Sequence, residues 1–308
     1  MQQTMTTPWI KLKEYLDPQD YKSIQTLQRD CVQNGPVALK LELDYKREDS
    51  DNSAGQDGIR NINEFLYFDG ERLIGYIGIC GFGNEAEPLE ITGMVHPQYR
   101  RMGVFTKLFG LVMAECKRRS SSGMLGLCDQ SSPSGQGFLK RIGAQYQYSE
   151  YEMVLCDDRY ANREKKPLDI QFLKATNADA REVTRQNAVF FGDRGEECKK
   201  TEANGPLPEE EEKRGMTIYL VKNKDRIIGK VHLQLLNGIG GIYGFGVLPE
   251  YRGRGFGRAI LLKSIETLQS AGAAEVMLQV SADNATALGL YKSCGFTETS
   301  VMDYYLLQ

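Results

Sequence analysis

The stretch Val247-Leu-Pro-Glu-Tyr-Arg-Gly-Arg-Gly-Phe-Gly-Arg258 decides how this chain folds and what it binds. An apolar run at 241–247 precedes the stretch and predicts a strand. The helical spacing of apolar residues after it predicts an amphipathic helix (Leu261, Ile265, Leu268). Glycines let backbone N–H groups approach a ligand closely, and a helix N-terminus adds unpaired donors and partial positive charge. Because the three arginines add charges that suit phosphate oxygens, the stretch predicts a pyrophosphate-binding loop.

Several kinds of glycine-rich loop compete for this interpretation. A nucleoside triphosphatase loop has Lys-Ser/Thr after its last glycine, whereas this chain has Arg258-Ala259, and a dinucleotide fold has Gly-x-Gly-x-x-Gly, whereas the spacing here is Gly-x-Gly-x-Gly. A plain turn with solvated arginines is the third alternative. The complete pattern, Val-x-Pro-x-x-Arg-x-x-Gly-x-Gly between strand and helix, resembles the acyl-CoA-binding motif of the GNAT superfamily of N-acetyltransferases.

A second motif follows at 278–296. It predicts a strand, a turn, a short helix and a stop at a glycine, and it resembles the family's Asn-x-x-Ala-x-x-Leu-Tyr-x-x-x-Gly-Phe (Asn284, Ala287, Leu290, Tyr291, Gly295, Phe296). The resemblance implies that Asn284 contacts the coenzyme A arm and that Tyr291 lies near the thioester sulfur as the general acid. A phenol can donate the proton that a leaving thiolate needs, although a helical tyrosine taken alone is more often a packing residue.

The resemblance also implies a set of binding residues and a reaction. Acetyl-CoA is the expected co-substrate, its pyrophosphate is held by backbone N–H groups of 252–257, and a strand N–H near Val247 stabilises the oxyanion. The expected acceptor is an amine on a small molecule or a peptide. No metal is expected, since no Cys/His cluster has ligand spacing. The residues expected to bind acetyl-CoA are Val247, Arg252, Gly253, Arg254, Gly255, Phe256, Gly257, Arg258 and Asn284.

The same plan occurs earlier in the chain. Val95–Phe105 aligns with Val247–Gly257 at a fixed offset (247 − 95 = 152), and between Val95 and Ala144 eight residues are identical at that offset. Five of the eight lie in the loop or just before it, which favours duplication. We therefore predict two tandem GNAT-like domains, 1–157 and 168–308, joined by a linker at 158–167. Each is expected to be a mixed α+β domain of the α/β class, with a mostly antiparallel sheet and helices on both faces.

The two halves differ at the positions that carry the chemistry. Phe105 aligns with Gly257, Leu139 with Tyr291 and Ser132 with Asn284. The first half is therefore expected to be a degenerate domain that has a structural or substrate-shaping role, with weak or no acyl-CoA binding, and the second half to be catalytic. The alternative is a non-catalytic protein that uses the duplicated fold to bind CoA, an effector or a partner.

Composition bears on the partners and the cellular location of the protein. A net charge of −3 without a basic stripe argues against nucleic acid as a partner, and no apolar run approaches the ~20 residues that a membrane helix needs. Seven cysteines without Cys-x-x-Cys spacing, and no evident signal peptide, predict reduced thiols in the cytoplasm. Two acidic segments remain, a predicted substrate-cleft segment at 192–197 and a predicted solvated loop at 209–212.

Overall fold

The structure, a computed structural model, describes residues 4–35, 37–43, 46, 61–81, 88–119, 123–156, 168–191 and 207–308. The chain forms two compact units. The first unit comprises Met1–Ser149 and Ser300–Gln308, and the second unit comprises Glu150–Thr299. The predicted linker at 158–167 and the acidic segment at 192–197 lie outside the described residues.

The first unit contains a sheet in the order β1-β2-β3-β4-β5, with helices on both of its faces. Pairing is antiparallel from β1 to β4 and parallel between β4 and β5. One core joins α1 to the sheet (Ile24, Leu27, Tyr76), and another joins α2 to the opposite face (Ile77, Leu108, Val112). The elements are β1 (Pro8–Lys13), α1 (Pro18–Gln33), β2 (Glu64–Asp69), β3 (Arg72–Cys80), β4 (Leu89–Val95), α2 (Val104–Arg119), β5 (Met124–Asp129), α3 (Pro133–Ile142) and the first part of β6 (Gln145–Leu155).

The second unit repeats this order as β7-β8-β9-β10-β11, again antiparallel except for the parallel pair β10–β11. Both units thus confirm the predicted mixed α/β class with a mostly antiparallel sheet. One expectation was wrong: residues 209–212 belong to a helix, which starts at Pro208, and not to a loop. The elements are β7 (Gln171–Lys174), α4 (Ala180–Phe191), α5 (Pro208–Lys213), β8 (Met216–Asn223), β9 (Arg226–Leu236), β10 (Ile239–Val247), α6 (Phe256–Ser270), β11 (Glu275–Ser281), α7 (Ala285–Ser293) and β12 (Phe296–Leu306).

The final strand of each half does not stay with that half. Residues 150–154 of β6 pair antiparallel with β11 in the second unit, and residues 302–306 of β12 pair antiparallel with β5 in the first unit. The units therefore differ from the predicted domains 1–157 and 168–308 at the end of each half. Sequence order does not reveal this exchange, because β5 and β11 offer equivalent strand edges and tertiary packing decides which terminal strand fills each one.

The parallel pair in each unit is short. β4 and β5 pair only from Leu89↔Met124 to Ile91↔Gly126, and β10 and β11 pair only from Ile239↔Glu275 to Ile242↔Leu278. Beyond these points the strands separate, and each leading strand continues to a Pro-initiated turn and the next helix. A cleft therefore opens in each unit beside the N-terminus of α2 or α6.

Because the final strands are exchanged, Tyr304 near the C-terminus should contribute to the stability of the first unit. This side chain is buried in the first unit, where its ring stacks on Tyr148 at 4.5 Å and its hydroxyl accepts a hydrogen bond from Lys40 at 2.8 Å. We expect Tyr304→Ala to lower the unfolding free energy of the first unit by about 3 kcal/mol, the usual scale for truncating a buried aromatic side chain. The single tryptophan, Trp9, lies in β1 and stacks on Phe68, so its fluorescence during urea unfolding reports on this unit.

The control is Thr299→Ala, an exposed position on the same strand but in the second unit, which we expect to leave the Trp9 transition unchanged. A parental Trp9 midpoint in Tyr304→Ala would contradict the assignment of residues 300–308 to the first unit.

Candidate active site

The glycine-rich loop of the second unit has the backbone that its sequence predicts. Gly253 and Gly255 have φ values of +72° and +84°, in the left-handed region that favours glycine. A Cβ atom at Gly253 would meet nothing within 4 Å, so conformation and not crowding calls for glycine there. In the first unit Arg101 and Gly103 have φ values of +65° and +81°. The two loops therefore share one conformation.

The arginines of the second loop have distinct roles. The Nε of Arg252 donates to the carbonyl of Val247 at 2.9 Å and ties the loop to the end of β10. Arg258 donates to the carbonyl and hydroxyl of Ser293 and so joins α6 to the end of α7. Arg254 is exposed, with its guanidinium 6.0 Å from the ring centre of Tyr251. Two of the three predicted phosphate ligands thus also hold the fold together, which their positive charge alone did not indicate.

The two residues after Gly255 begin α6. Phe256 is buried in the core of the second unit and serves packing. A Cβ at Gly257 would lie 3.3 Å from the side chain of Leu290, which is tighter than ordinary contact. Gly257 therefore allows α6 to pack closely against α7.

A β-bulge marks the point where β10 leaves β11. Lys230 of β9 pairs with Gly246 of β10 and His232 pairs with Tyr243, so β10 has one more residue than β9 in this interval. Gly244, within the bulge, has a φ of +51°. The equivalent strands of the first unit, β3 and β4, pair without any shift of register. The bulge therefore distinguishes the second cleft from the first.

Tyr291 lies beside this bulge. It is mostly buried on α7, and its ring centre is 6.3 Å from that of Phe245 in the bulge. Burial raises the pKa of Tyr291 to about 12, so the phenol keeps its proton at neutral pH. Within the described part of the chain its hydroxyl has no hydrogen-bond partner. The structure thus places the predicted acid beside the bulge of β10, with a proton to donate.

Asn284 begins α7. Its side-chain oxygen accepts a hydrogen bond from the N–H of Ala287 at 3.1 Å, which is the usual bond of a helix N-cap. Ser132 makes the same bond at the start of α3, accepting from Gly135 at 3.3 Å. Asn284 therefore has a structural role besides the coenzyme A contact that the resemblance implies.

Sequence analysis missed one group at the site. Lys230 is fully buried on β9, where its Nζ donates to the carbonyl of Gly244 at 2.8 Å and lies 3.0 Å from Nε2 of His232. Burial lowers the pKa of Lys230 to about 7, and burial together with Lys230 lowers the pKa of His232 to about 3. The available signal was a lysine inside the apolar strand sequence Ile227-Ile-Gly-Lys-Val231.

The cleft of the first unit is open as well. A cavity of about 340 Å³ lies between β4 and β5, lined among others by Val95, Arg100, Gly103 and Leu139. Phe105, which aligns with Gly257 of the second loop, packs edge-on against Phe138 with ring centres 4.7 Å apart. Leu139 at the position of Tyr291 supplies no proton. The first cleft thus has space and the loop conformation but not the acid.

Two kinds of feature are absent from the described residues. They contain no group of three or more His, Cys, Asp or Glu side chains placed to hold a metal ion. Among them we also found no helix with the length and apolar character needed to cross a membrane. The six described cysteines are free thiols.

Comparison with known proteins identifies the family that the second half of the chain matches. The profile of the Acetyltransferase (GNAT) family matches residues 183–296, which include the bulge, the loop and Tyr291. Residues 183–296 therefore belong to the GNAT family of acetyltransferases. The protein is an acyltransferase, and two GNAT-like domains follow one another in its sequence.

Acetyltransferases of known name are similar to this protein over different lengths of the chain. A mycothiol acetyltransferase of Kocuria rhizophila is 27% identical over 248 residues, 74% of this chain and 78% of that protein. Another, of Pseudarthrobacter chlorophenolicus, is 29% identical over 271 residues, 84% of this chain and 77% of that protein. A shorter match, 39% identical over 64 residues, covers 21% of this chain and 43% of the [ribosomal protein bS18]-alanine N-acetyltransferase of Escherichia coli.

Solved GNAT structures support the fold over nearly the whole chain. A GCN5-related N-acetyltransferase from Sphaerobacter thermophilus has a TM-score of 0.70 at 19% identity, covering 97% of this chain and 95% of that one. A tandem GNAT protein from the clavulanic acid biosynthesis pathway has a TM-score of 0.70 at 14% identity, covering 97% and 98%. At these identities the likeness concerns the fold.

The capping role of Asn284 can be tested separately from its expected contact with coenzyme A. We expect Asn284→Ala to lower stability by about 1 kcal/mol, because the N–H of Ala287 loses its acceptor. Asn284→Ser, which copies Ser132 of the first unit, should stay within a few tenths of a kcal/mol of the parent, since serine caps helices about as well as asparagine. Urea unfolding followed by circular dichroism measures both, and equal stability of the alanine variant and the parent would contradict a capping role.

Proposed function

We propose that this protein transfers an acetyl group from acetyl-CoA to a primary amine by direct attack, and that its second unit carries the site. The observation that supports this assignment best is the β-bulge of β10 beside Tyr291. The bulge frees backbone groups at the point where the strands separate, and the phenol supplies a proton there. The first unit has a regular strand and Leu139 at the equivalent positions.

The loop residues fit a pyrophosphate. The left-handed φ values of Gly253 and Gly255 turn successive N–H groups of the loop toward one side, next to the N-terminus of α6 with its partial positive charge. No side chain stands within 4 Å of the Cβ direction at Gly253. Arg254 is exposed beside this space and adds a full positive charge. The separated edge of β10 between Tyr243 and Val247 offers hydrogen bonds to the pantetheine amides.

The chemistry follows from the groups around the bulge. A neutral amine attacks the thioester carbonyl, and a backbone N–H of the bulge stabilises the oxyanion that forms. When the C–S bond breaks, Tyr291 protonates the departing thiolate, and the proton that the attacking nitrogen loses passes through water and restores the phenol. Its raised pKa keeps the phenol protonated up to this step.

The acceptor is an amine of a small molecule or a peptide. Two relatives are named mycothiol acetyltransferase and [ribosomal protein bS18]-alanine N-acetyltransferase, and the second name specifies transfer to nitrogen. A discriminating test is release of free thiol from acetyl-CoA in the presence of amino acids, spermidine, an aminoglycoside and a peptide with a free N-terminus. If thiol appears with none of these amines while CoA still binds, the non-catalytic alternative replaces our proposal. Cytoplasmic location and the lack of a nucleic-acid partner stay predictions.

The two loops provide a matched test of where acetyl-CoA binds. We expect one acetyl-CoA per chain and a loss of this binding in Gly255→Val, because a β-branched residue is strained at a positive φ and its side chain blocks the backbone. Gly103→Val introduces the same change at a φ of +81° in the first loop and should leave the affinity unchanged. Isothermal titration calorimetry measures both.

A stoichiometry of two would contradict the single site and assign a second one to the open cleft of the first unit. Parental affinity in Gly255→Val, or its loss only in Gly103→Val, would contradict the choice of the second unit.

Removing the hydroxyl of Tyr291 tests the general acid. We expect Tyr291→Phe to lower kcat by roughly 10²–10⁴-fold while the dissociation constant of acetyl-CoA changes little, since the ring remains in place. Steady-state thiol release measures kcat, and calorimetry measures the dissociation constant. Leu290→Met is the control, because it changes the neighbouring residue without touching a polar group. A kcat near that of the parent would leave Tyr291 as a packing residue.

A further inference from the structure

Lys230 is a buried lysine without a counter-ion. Its side chain is inaccessible to solvent, and no carboxylate pairs with it among the residues that the structure describes. Burying a charged group without an opposite charge costs several kcal/mol unless other interactions compensate. Its polar neighbours are the carbonyl of Gly244 and the ring of His232. Because burying a lysine is unfavourable, we looked to β10, the strand that Lys230 contacts, for the role of this residue.

The residue of the first unit that is equivalent to Lys230 is Tyr76, and its hydrogen bonds are different. Tyr76 pairs with Met94 as Lys230 pairs with Gly246, and in both units the next pair joins glycine to valine (Gly75↔Val95, Gly229↔Val247). Tyr76 donates to Glu64, which is also paired with Lys46 at 3.0 Å. Among the described residues, the bonds of this network join Tyr76, Glu64 and Lys46 to one another, and none reaches β4. At the same place the second unit has a lysine that bonds to the neighbouring strand.

The contact of Lys230 with Gly244 has a geometric consequence. The N–H and C=O of a trans peptide point in opposite directions. Because the carbonyl of Gly244 is directed to the Nζ of Lys230, the N–H of Phe245 in the same peptide is directed away from Lys230. The ring of Phe245 lies against Tyr291, so this peptide is at the candidate acid. Either protonation form of the lysine can make the bond, since both have an N–H to donate.

We infer that Lys230 is a positioning residue, which holds the Gly244–Phe245 peptide so that the Phe245 N–H faces the cleft where the oxyanion forms. This inference rests on the proposed function and names a residue that sets its oxyanion site. Lys230 itself stays under the rings of Phe190 and Phe191, 5.9 and 5.6 Å from their centres, and does not touch the substrate.

The packing around the bulge supports this role. A Cβ at Gly246 would collide with the ring of Phe190, and a Cβ at Gly244 would come within 2.9 Å of the His232 ring. The α4 side of the bulge is therefore closely packed, and glycine is needed at both positions. Without the bond to Lys230, however, two glycines leave this segment conformationally free. Close packing sets the space, and the lysine selects one peptide orientation within it.

The test compares two substitutions of similar length. Lys230→Met removes the donor, and Lys230→Gln retains an N–H that can reach the Gly244 carbonyl. We expect Lys230→Met to lower kcat by roughly 10²-fold, the scale for misplacing or losing one oxyanion donor, with the calorimetric affinity for CoA within about twofold of the parent. Lys230→Gln should recover a substantial part of kcat. Lys263→Met is the matched control. Lys263 lies on α6, and its side chain also donates to a backbone carbonyl, that of Ile170.

A second measurement does not depend on activity. Amide hydrogen exchange of the peptide covering 241–247 should be faster in Lys230→Met than in the parent, and unchanged in Lys263→Met. Parental kcat and parental exchange in Lys230→Met would overturn the inference, as would equal kcat values in the methionine and glutamine variants. If the parent protein releases thiol with no amine, the proposed function fails, and the exchange rates alone decide whether Lys230 holds the bulge.

Discussion

Parallel pairing between β10 and β11 stops at Ile242 and Leu278, and the candidate site is built around that separation. A strand that leaves its partner has backbone donors and acceptors that need other partners. In the second unit the proposed site combines these groups with the glycine-rich loop, the N-terminus of α6 and the phenol of Tyr291. A ligand with amides along its length and phosphates at one end can satisfy all of them. The proposed binding of acetyl-CoA therefore depends on the open strand edge.

The two units show how one backbone plan can be kept while its chemistry changes. Both retain the short parallel pair, the left-handed loop and the helix after it. The units differ at one equivalent position, on β3 and β9, that faces the first helix of the unit. The first unit has Tyr76 in a hydrogen-bond network there, and the second unit has Lys230 bound to the bulge. The first unit keeps a regular strand pair there, and the second unit has a bulge that interrupts the pairing. Departures from regular structure of this kind concentrate at functional sites.

Local motifs explain what the sequence could predict. The loop at 252–257 and the turn at Asn284 are fixed by residues close together in the chain, so their conformations follow from glycine and cap chemistry. The roles of Arg252 and Arg258 did not follow, because their partners, Val247 and Ser293, are known only once strand and helices have packed. Lys230 was missed for a similar reason: a lysine in a strand usually faces solvent, and only the fold shows that α4 covers it. The openness of the first cleft depends on the ring orientation of Phe105, which sequence does not specify.

The exchange of terminal strands has a consequence for synthesis of the protein. Residues 300–308, which complete the sheet of the first unit, emerge from the ribosome only after all of residues 150–299. The edge of β5 therefore stays without its neighbour while the second unit is being made, and a bare strand edge invites pairing with other chains. The second unit faces no such delay, because its exchanged strand at 150–154 precedes the rest of it. The order of translation thus favours completion of the half with Tyr291 before the half without it.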